Sequence, residues 1–127
     1  MAVKIEKYEG ILENLNKSGK KWWEFDRNEV NPVIFGSYCD SKSHDREVLD
    51  ISGSFWANDI PAMVEAMKAE GVAEFTISDG RCNIAEIIAV FEDNGAKLQG
   101  LTRINSGFNN FRTGEPEMKP AFLMKIV

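Results

Sequence analysis

Apolar residues recur along this chain with two different periods, and the change of period marks out its elements. Ile5, Tyr8, Leu12 and Leu15 stand three and four apart, which predicts a short amphipathic helix over 4–17 that Ser18-Gly19 ends. Val48, Leu49 and Ile51 read as a buried strand. Asn58-Asp59-Ile60-Pro61 then opens a helix, a capping side chain ahead of a first-turn proline, with Ile60, Met63, Val64 and Met67 as its core stripe up to Gly71. Val72 to Ser78 alternates as a strand does, with Phe75 and Ile77 on one face. Asp79-Gly80 turns the chain into a second helix carrying Ile84, Ile87, Ile88 and Phe91, which Asn94-Gly95 closes. Lys97 to Ile104 is a third strand, and Pro120 to Val127 a fourth, apolar on both faces as in a covered sheet. Asn105 to Lys119, rich in Asn and turn residues, joins them as a hairpin with a long tip.

Residues 20–46 follow neither period. Trp22, Trp23 and Phe25 are interleaved with Lys20, Lys21, Glu24, Asp26 and Arg27, and Asn31-Pro32 marks a turn. Val33 to Tyr38 has the length of one short strand, while Gly36 and the polar run Asp40 to Asp45 argue for a long loop. The expectation is a single α/β domain over 1–127, with α+β as the neighbouring class: an N-terminal helix and an irregular aromatic, charged segment over 1–46, then a βαβαββ core over 47–127. Two crossover helices lie on one face of a small mixed sheet of about four strands, the N-terminal helix is free to cover the other face, and a C-terminal hairpin sets the last strand antiparallel to the third.

A length of 127 residues, 43% apolar and 28% charged, fits one such core and excludes a disordered tail or a disulfide-stapled miniprotein. No apolar run reaches the length of a membrane span, and Lys4, Glu6, Lys7 and Glu9 stand where a secretion signal would be apolar, so a soluble cytoplasmic protein with no membrane partner is expected. Cys39 and Cys82 read as reduced thiols. The net charge of -5 is unevenly spread: residues 1–21 carry +2, residues 22–93 carry -10 and residues 94–127 carry +3. An acidic middle repels phosphate, which disfavours direct nucleic-acid binding and favours a protein partner with a basic surface. The plainer reading of the same acids is a solubilising face.

Motifs are scarce. No G-x-G-x-x-G follows a strand and no G-x-x-x-x-G-K-[ST] occurs, so dinucleotide and P-loop sites lack support. Cys39, Asp40, His44, Asp45 and Asp50 mix metal-ligand types, but one histidine and one nearby thiol fall short of a zinc donor set, and nothing evident orients a Cys39–His44 nucleophile pair. No metal, cofactor or catalytic residue is therefore assigned. Ser78, Asp79, Gly80 and Arg81, with Ser52 to Trp56 beside them, hold the strand ends where open α/β sheets bind ligands, though Gly80 is also an ordinary turn residue. Trp22, Trp23, Phe25 and Tyr38 are more informative, because large aromatics among charges suit a recognition surface or else a lid on the core. Adjacent residues of an extended segment point opposite ways, so Trp22 and Trp23 cannot both be buried on one face. Phe108, Phe111 and Arg112 raise the same question in the polar hairpin tip.

The second half of the chain also carries Trp56-Ala57-Asn58-Asp59-Ile60-Pro61, Glu74-Phe75-Thr76-Ile77-Ser78, Gly100-Leu101, Asn105-Ser106, Thr113-Gly114-Glu115 and the ending Lys119-Pro120-Ala121 with Met124-Lys125. On these signatures, the stretch from about Trp56 to Val127 resembles a family of small uncharacterised proteins from phages and other mobile elements of gut Firmicutes. The resemblance implies a setting and no catalytic residues. Small acidic proteins in that setting are often accessory factors that bind a host or element-encoded protein, inhibitors of CRISPR nucleases among them.

These readings join in the expectation of a small acidic binding protein without catalysis, which inhibits or modulates a host nucleic-acid-processing or defence protein such as a nuclease. Trp22, Trp23, Phe25, Phe108, Phe111 and Arg112 are its expected contacts, and Glu24, Asp26 and Glu29 its steering charge. The alternative is a small enzyme or ligand-binding domain with its site at the strand ends near Ser52–Trp56 and Ser78–Arg81. A third reading is a module that only oligomerises, through the hairpin or an open sheet edge.

Overall fold

A computed structural model describes residues 2–78 and 80–127. The N-terminal helix forms as α1 (Glu6–Lys17), with Glu6 and Glu9 in its first turn and Lys17 in its last, the charge order its dipole favours. A 3-10 turn, Trp22–Glu24, follows, closed by the Glu24 carboxylate accepting the Lys21 N–H at 2.6 Å, and a second, Ala57–Asp59, leads into the third helix. Then come α2 (Pro32–Ser43), β1 (Leu49–Ile51), α3 (Ile60–Ala69), β2 (Glu74–Ile77), α4 (Ile84–Asp93), β3 (Ala96–Asn109) and β4 (Pro116–Ile126). Among the described residues, no helix is long and apolar enough to cross a membrane.

The helix α2 replaces the strand and loop expected of its residues. Asn31 caps it, its Oδ1 accepting the N–H groups of Val33 and Ile34 at 3.0 and 3.1 Å, and Pro32 fills the first helical position. Its buried face hides it from periodicity, because that face carries Ser37 and Ser41 beside Ile34, Phe35 and Tyr38. The serines meet the outer edge of β1. Ser41 Oγ accepts the Asp50 N–H at 3.0 Å and donates to the Asp50 carbonyl at 3.3 Å, and Ser37 Oγ does the same for Ser52 at 2.9 and 3.2 Å. Two hydroxyls one helical turn apart thus stand in for a neighbouring strand and close an edge otherwise open to pairing.

The sheet order is β1-β2-β4-β3, with β1 parallel to β2 and β4 antiparallel to both its neighbours. The last strand therefore enters between β2 and β3, so these two run the same way without touching. The hairpin is more regular than its sequence suggests: β3 continues to Asn109 and β4 restarts at Pro116, leaving only a short tip in place of a loop over 105–119.

Leu49, Ile51, Phe75, Ile77 and Met124 share the sheet face that packs on Ile60, Met63, Val64 and Met67 of α3 and Ile87, Ile88 and Phe91 of α4. α1 does not cover the opposite face. Its Tyr8 ring instead meets Phe35 and Tyr38 of α2 edge-on, at 5.4 and 5.6 Å, while Phe25 sits 4.8 Å from Phe35 and anchors the aromatic turn. The hairpin is tied back to the end of α2 on its own account. Arg46 Nε donates to the Asn105 carbonyl at 2.8 Å, and Gly107, at φ +91°, runs so close to His44 that any Cβ there would lie 2.8 Å from the imidazole.

Candidate binding groove

Packing α1 on α2 through their inner faces leaves a trough along their outer ones. Glu9, Leu12, Glu13 and Asn16 of α1 and Val33, Gly36, Cys39 and Ser43 of α2, each set at helical spacing, line a groove of about 950 Å³. Trp22, Trp23 and Phe25, with Ser52, Gly53 and Ser54 after β1, complete the lining. Trp22 is 45% exposed and Trp23 59%, their rings edge-to-face at 5.8 Å. Neighbouring side chains of a 3-10 turn stand about 120° apart, in place of the opposed directions of a strand, which lets both rings reach solvent.

Most charges on the groove are matched. Glu9 accepts from the Lys42 ammonium and the Tyr38 hydroxyl, and these bonds, Lys42 first, hold its carboxyl below the usual range. Burial, then the bond to Glu9, pushes the Tyr38 phenol up. Arg27 lies over the Phe25 ring at 5.8 Å. Glu13 pairs with no cation among the described residues. Burial raises the Cys39 thiol to about 11, which favours the protonated form at neutral pH.

The expected contact residues are divided among three places. Trp22, Trp23 and Phe25 open on the groove. Glu24, Asp26 and Glu29 line a second cavity of about 310 Å³ against Leu15 and Lys20, which Phe25 also touches. Phe108, Phe111 and Arg112 are exposed on the hairpin, Phe111 at 95%, and line neither cavity. The residues that the sequence reading missed are the floor itself, Val33, Gly36, Cys39 and Ser43. The available signal was Asn31-Pro32, which reads equally well as a helix cap followed by a first-turn proline.

At the alternative site, the Arg81 guanidinium bonds the carbonyls of Phe55 and Gly53 and stacks 4.0 Å from the centre of the Phe55 ring, fastening the loop after β1. Ser78 Oγ donates to Asp50 Oδ2 at 2.7 Å, Gly80 is exposed, and Asp79 lies outside the described residues. Neither cavity is lined by Ser78, Gly80 or Arg81.

The five residues of mixed ligand type are also dispersed: Cys39 faces the groove, Asp45 is exposed, and Asp40 bonds Arg46 at 2.9 Å with His44 Nδ1 3.4 Å away. Among the described residues, no group of three or more His, Cys, Asp or Glu is placed to hold a metal ion. Asp50, 1% exposed, accepts from Thr76 Oγ1 and Ser78 Oγ at 2.7 Å and faces Arg46 at 3.5 Å. Burial nevertheless raises its carboxyl, against the opposing pull of the two hydroxyls and Arg46. Closed on every side by its partners, this cluster joins β1, β2 and the chain before β1.

Nothing among curated proteins and nothing among solved structures matches the chain. A family model described as a domain of unknown function (DUF7698) matches residues 33–126, from the first turn of α2 to the end of β4. The match takes in α2 and β1 as well as the stretch from Trp56 onward, and the groove forms between the matched domain and the segment ahead of it. Matched over most of its length, the chain belongs to the DUF7698 family.

Proposed function

We propose that the protein is a binding module without catalysis, which engages a partner protein of basic surface through the groove between α1, the aromatic turn and α2. The observation that carries this reading is the pair of half-exposed tryptophans opening on a groove of about 950 Å³ that no described side chain fills. Rings of this kind dominate the energetics of interfaces, and the excess of acid over residues 22–93 supplies attraction and a fast approach for a basic partner. The same acid excess works against direct contact with nucleic acid. A cytoplasmic protein of a phage or mobile element that inhibits or modulates a host nucleic-acid-processing or defence protein, such as a nuclease, fits this chemistry, and that setting rests on the resemblance alone.

The test is capture from host or phage-infected lysate at low and high salt, followed by titration of the captured protein. Trp23→Ala is expected to cost about 2 kcal/mol of affinity, roughly 30-fold. Reversal of Glu24, Asp26 and Glu29 to Lys is expected to slow association and flatten its salt dependence. Association indifferent both to salt and to these changes would refute the reading.

A further inference from the structure

Gly36 is out of place in α2 by every local criterion. Glycine inside a helix is less favourable than alanine, and its backbone here is not in the left-handed region that would demand it. Packing does not demand it either, since a Cβ would meet only the Trp22 ring, at an ordinary 4.0 Å. The missing side chain does one visible thing: it keeps the floor of the groove low beneath Trp22. Cys39 and Ser43 continue that floor with small side chains three and seven residues on. From Val33 to Ser43 the floor runs about 15 Å, close to three turns of helix.

The backbone of an occupant narrows its conformation. A peptide segment entering an apolar groove must bring its N–H and C=O groups already paired or find partners there. An extended segment finds no open strand edge beside the groove, because that of β1 is closed by Ser37 and Ser41. A helix pairs its own backbone, and small residues on the floor allow its axis to approach closely. Charge narrows it further. Glu13 pairs with no cation among the described residues, Trp22 and Trp23 line the same groove, and the chain already uses cation–ring contact there, where Arg27 lies over Phe25.

Building on the protein-binding reading, we propose that the groove receives one amphipathic, basic α-helix of the partner, about three turns long, with its apolar stripe on Gly36, Cys39 and Ser43 and Lys or Arg side chains toward Trp22, Trp23 and Glu13. The probe is a synthetic Leu/Lys peptide of roughly three to four turns with its Leu residues at helical spacing. Two controls accompany it: the same composition in strict alternation, and the helical pattern with Glu replacing Lys. Each is titrated into the full chain by tryptophan fluorescence and calorimetry, against wild type, Gly36→Leu and Gly36→Ala. The helical basic peptide is expected to bind wild type, at least about 10-fold better than either control. Gly36→Leu, which fills the floor, is expected to weaken it by a similar factor. Gly36→Ala is expected to melt higher than wild type and to weaken binding less than Leu does, which separates occlusion from misfolding. Equal binding by wild type and Gly36→Leu, or equal binding of the acidic peptide, overturns the proposal. Gly36-dependent binding of the alternating peptide overturns the helix and leaves the groove standing. Failure of every peptide to bind overturns the proposal too, while the broader reading is decided separately by the captured partner and Trp23→Ala.

Discussion

The two faces of the sheet at β1 and β2 are buried to the same degree and built from opposite chemistry. Toward α3 and α4, Leu49, Ile51, Phe75 and Ile77 are 0–1% exposed and belong to the hydrophobic core cluster. The residues between them on the other face, Asp50 and Thr76, are each 1% exposed and sit in a network with Arg46 and Ser78. On the first face stability comes from area removed from water and from close packing, so what it cannot tolerate is lost volume. On the second, each buried polar group is stable only while its partners remain, so what it cannot tolerate is a lost partner.

The largest test of this contrast lies in the apolar face. Phe91 is fully buried, with Phe75 at 5.2 Å and Phe55 at 6.3 Å. Phe91→Ala is expected to cost about 3–5 kcal/mol in urea unfolding, with little change in m-value, and Phe91→Leu less than half as much. A loss for the alanine variant near that of leucine would mean that this face collapses around a cavity and is not rigidly packed.

Arg46→Met is the matching change on the polar face, conserving much of the volume while removing the partner. It leaves Asp50 buried with two hydroxyls and only the field of Lys119, without an ion pair, and deprives the Asn105 carbonyl of its donor, so about 3 kcal/mol is expected. Adding Asp50→Leu should recover part of that loss, because the stranded charge goes with it. Pairing Phe91→Ala with Phe75→Ala should recover nothing. A double-mutant cycle by urea denaturation distinguishes the two behaviours, and additive losses on the polar face would erase the contrast.

These faces differ in legibility for the same reason. The apolar one was readable because Ile60, Met63, Val64 and Met67, and again Ile84, Ile87, Ile88 and Phe91, repeat at the period of the element that carries them. The polar one gives no period: Arg46 counted only as charge, and Asp50 as one member of a loop cluster. Ser37 and Ser41 hid α2 for a related cause, since side chains chosen to bond a strand edge break the apolar stripe that advertises a helix. The entry of β4 between β2 and β3 left no trace either, because alternation along a strand is the same whichever neighbours it has. Of the groove, the tryptophans stood out by their charged, aperiodic surroundings, which suited a lid on the core as well as a recognition surface, and its floor lies in the helix that went unseen.

The smallest effect is the one that asks how completely the polar face is satisfied. Burial raises the Asp50 carboxyl on folding, with Thr76, Ser78 and Arg46 pulling the other way, so the folded chain holds that proton more tightly than the unfolded one. Its contribution to stability is then greatest below the ordinary carboxylate range and is lost as pH rises through the raised value. Glu9 behaves in reverse: held low by Lys42 and Tyr38, it stabilises above the ordinary range and loses that contribution as pH falls through its lowered value. Asp50→Asn keeps the shape and one acceptor oxygen, sets an NH2 donor against one of the two hydroxyls, and removes the titration; a change on the order of 1 kcal/mol is expected. Unfolding measured from acid to neutral pH should show wild type losing ground to Asp50→Asn as pH rises, whereas the gap between wild type and Glu9→Gln, at a half-buried residue of the groove lining, should widen in wild type's favour. An Asp50→Asn difference that stays constant with pH would mean that Arg46 and the two hydroxyls offset the cost of burial in full, making this face as indifferent to protons as the apolar one behind it.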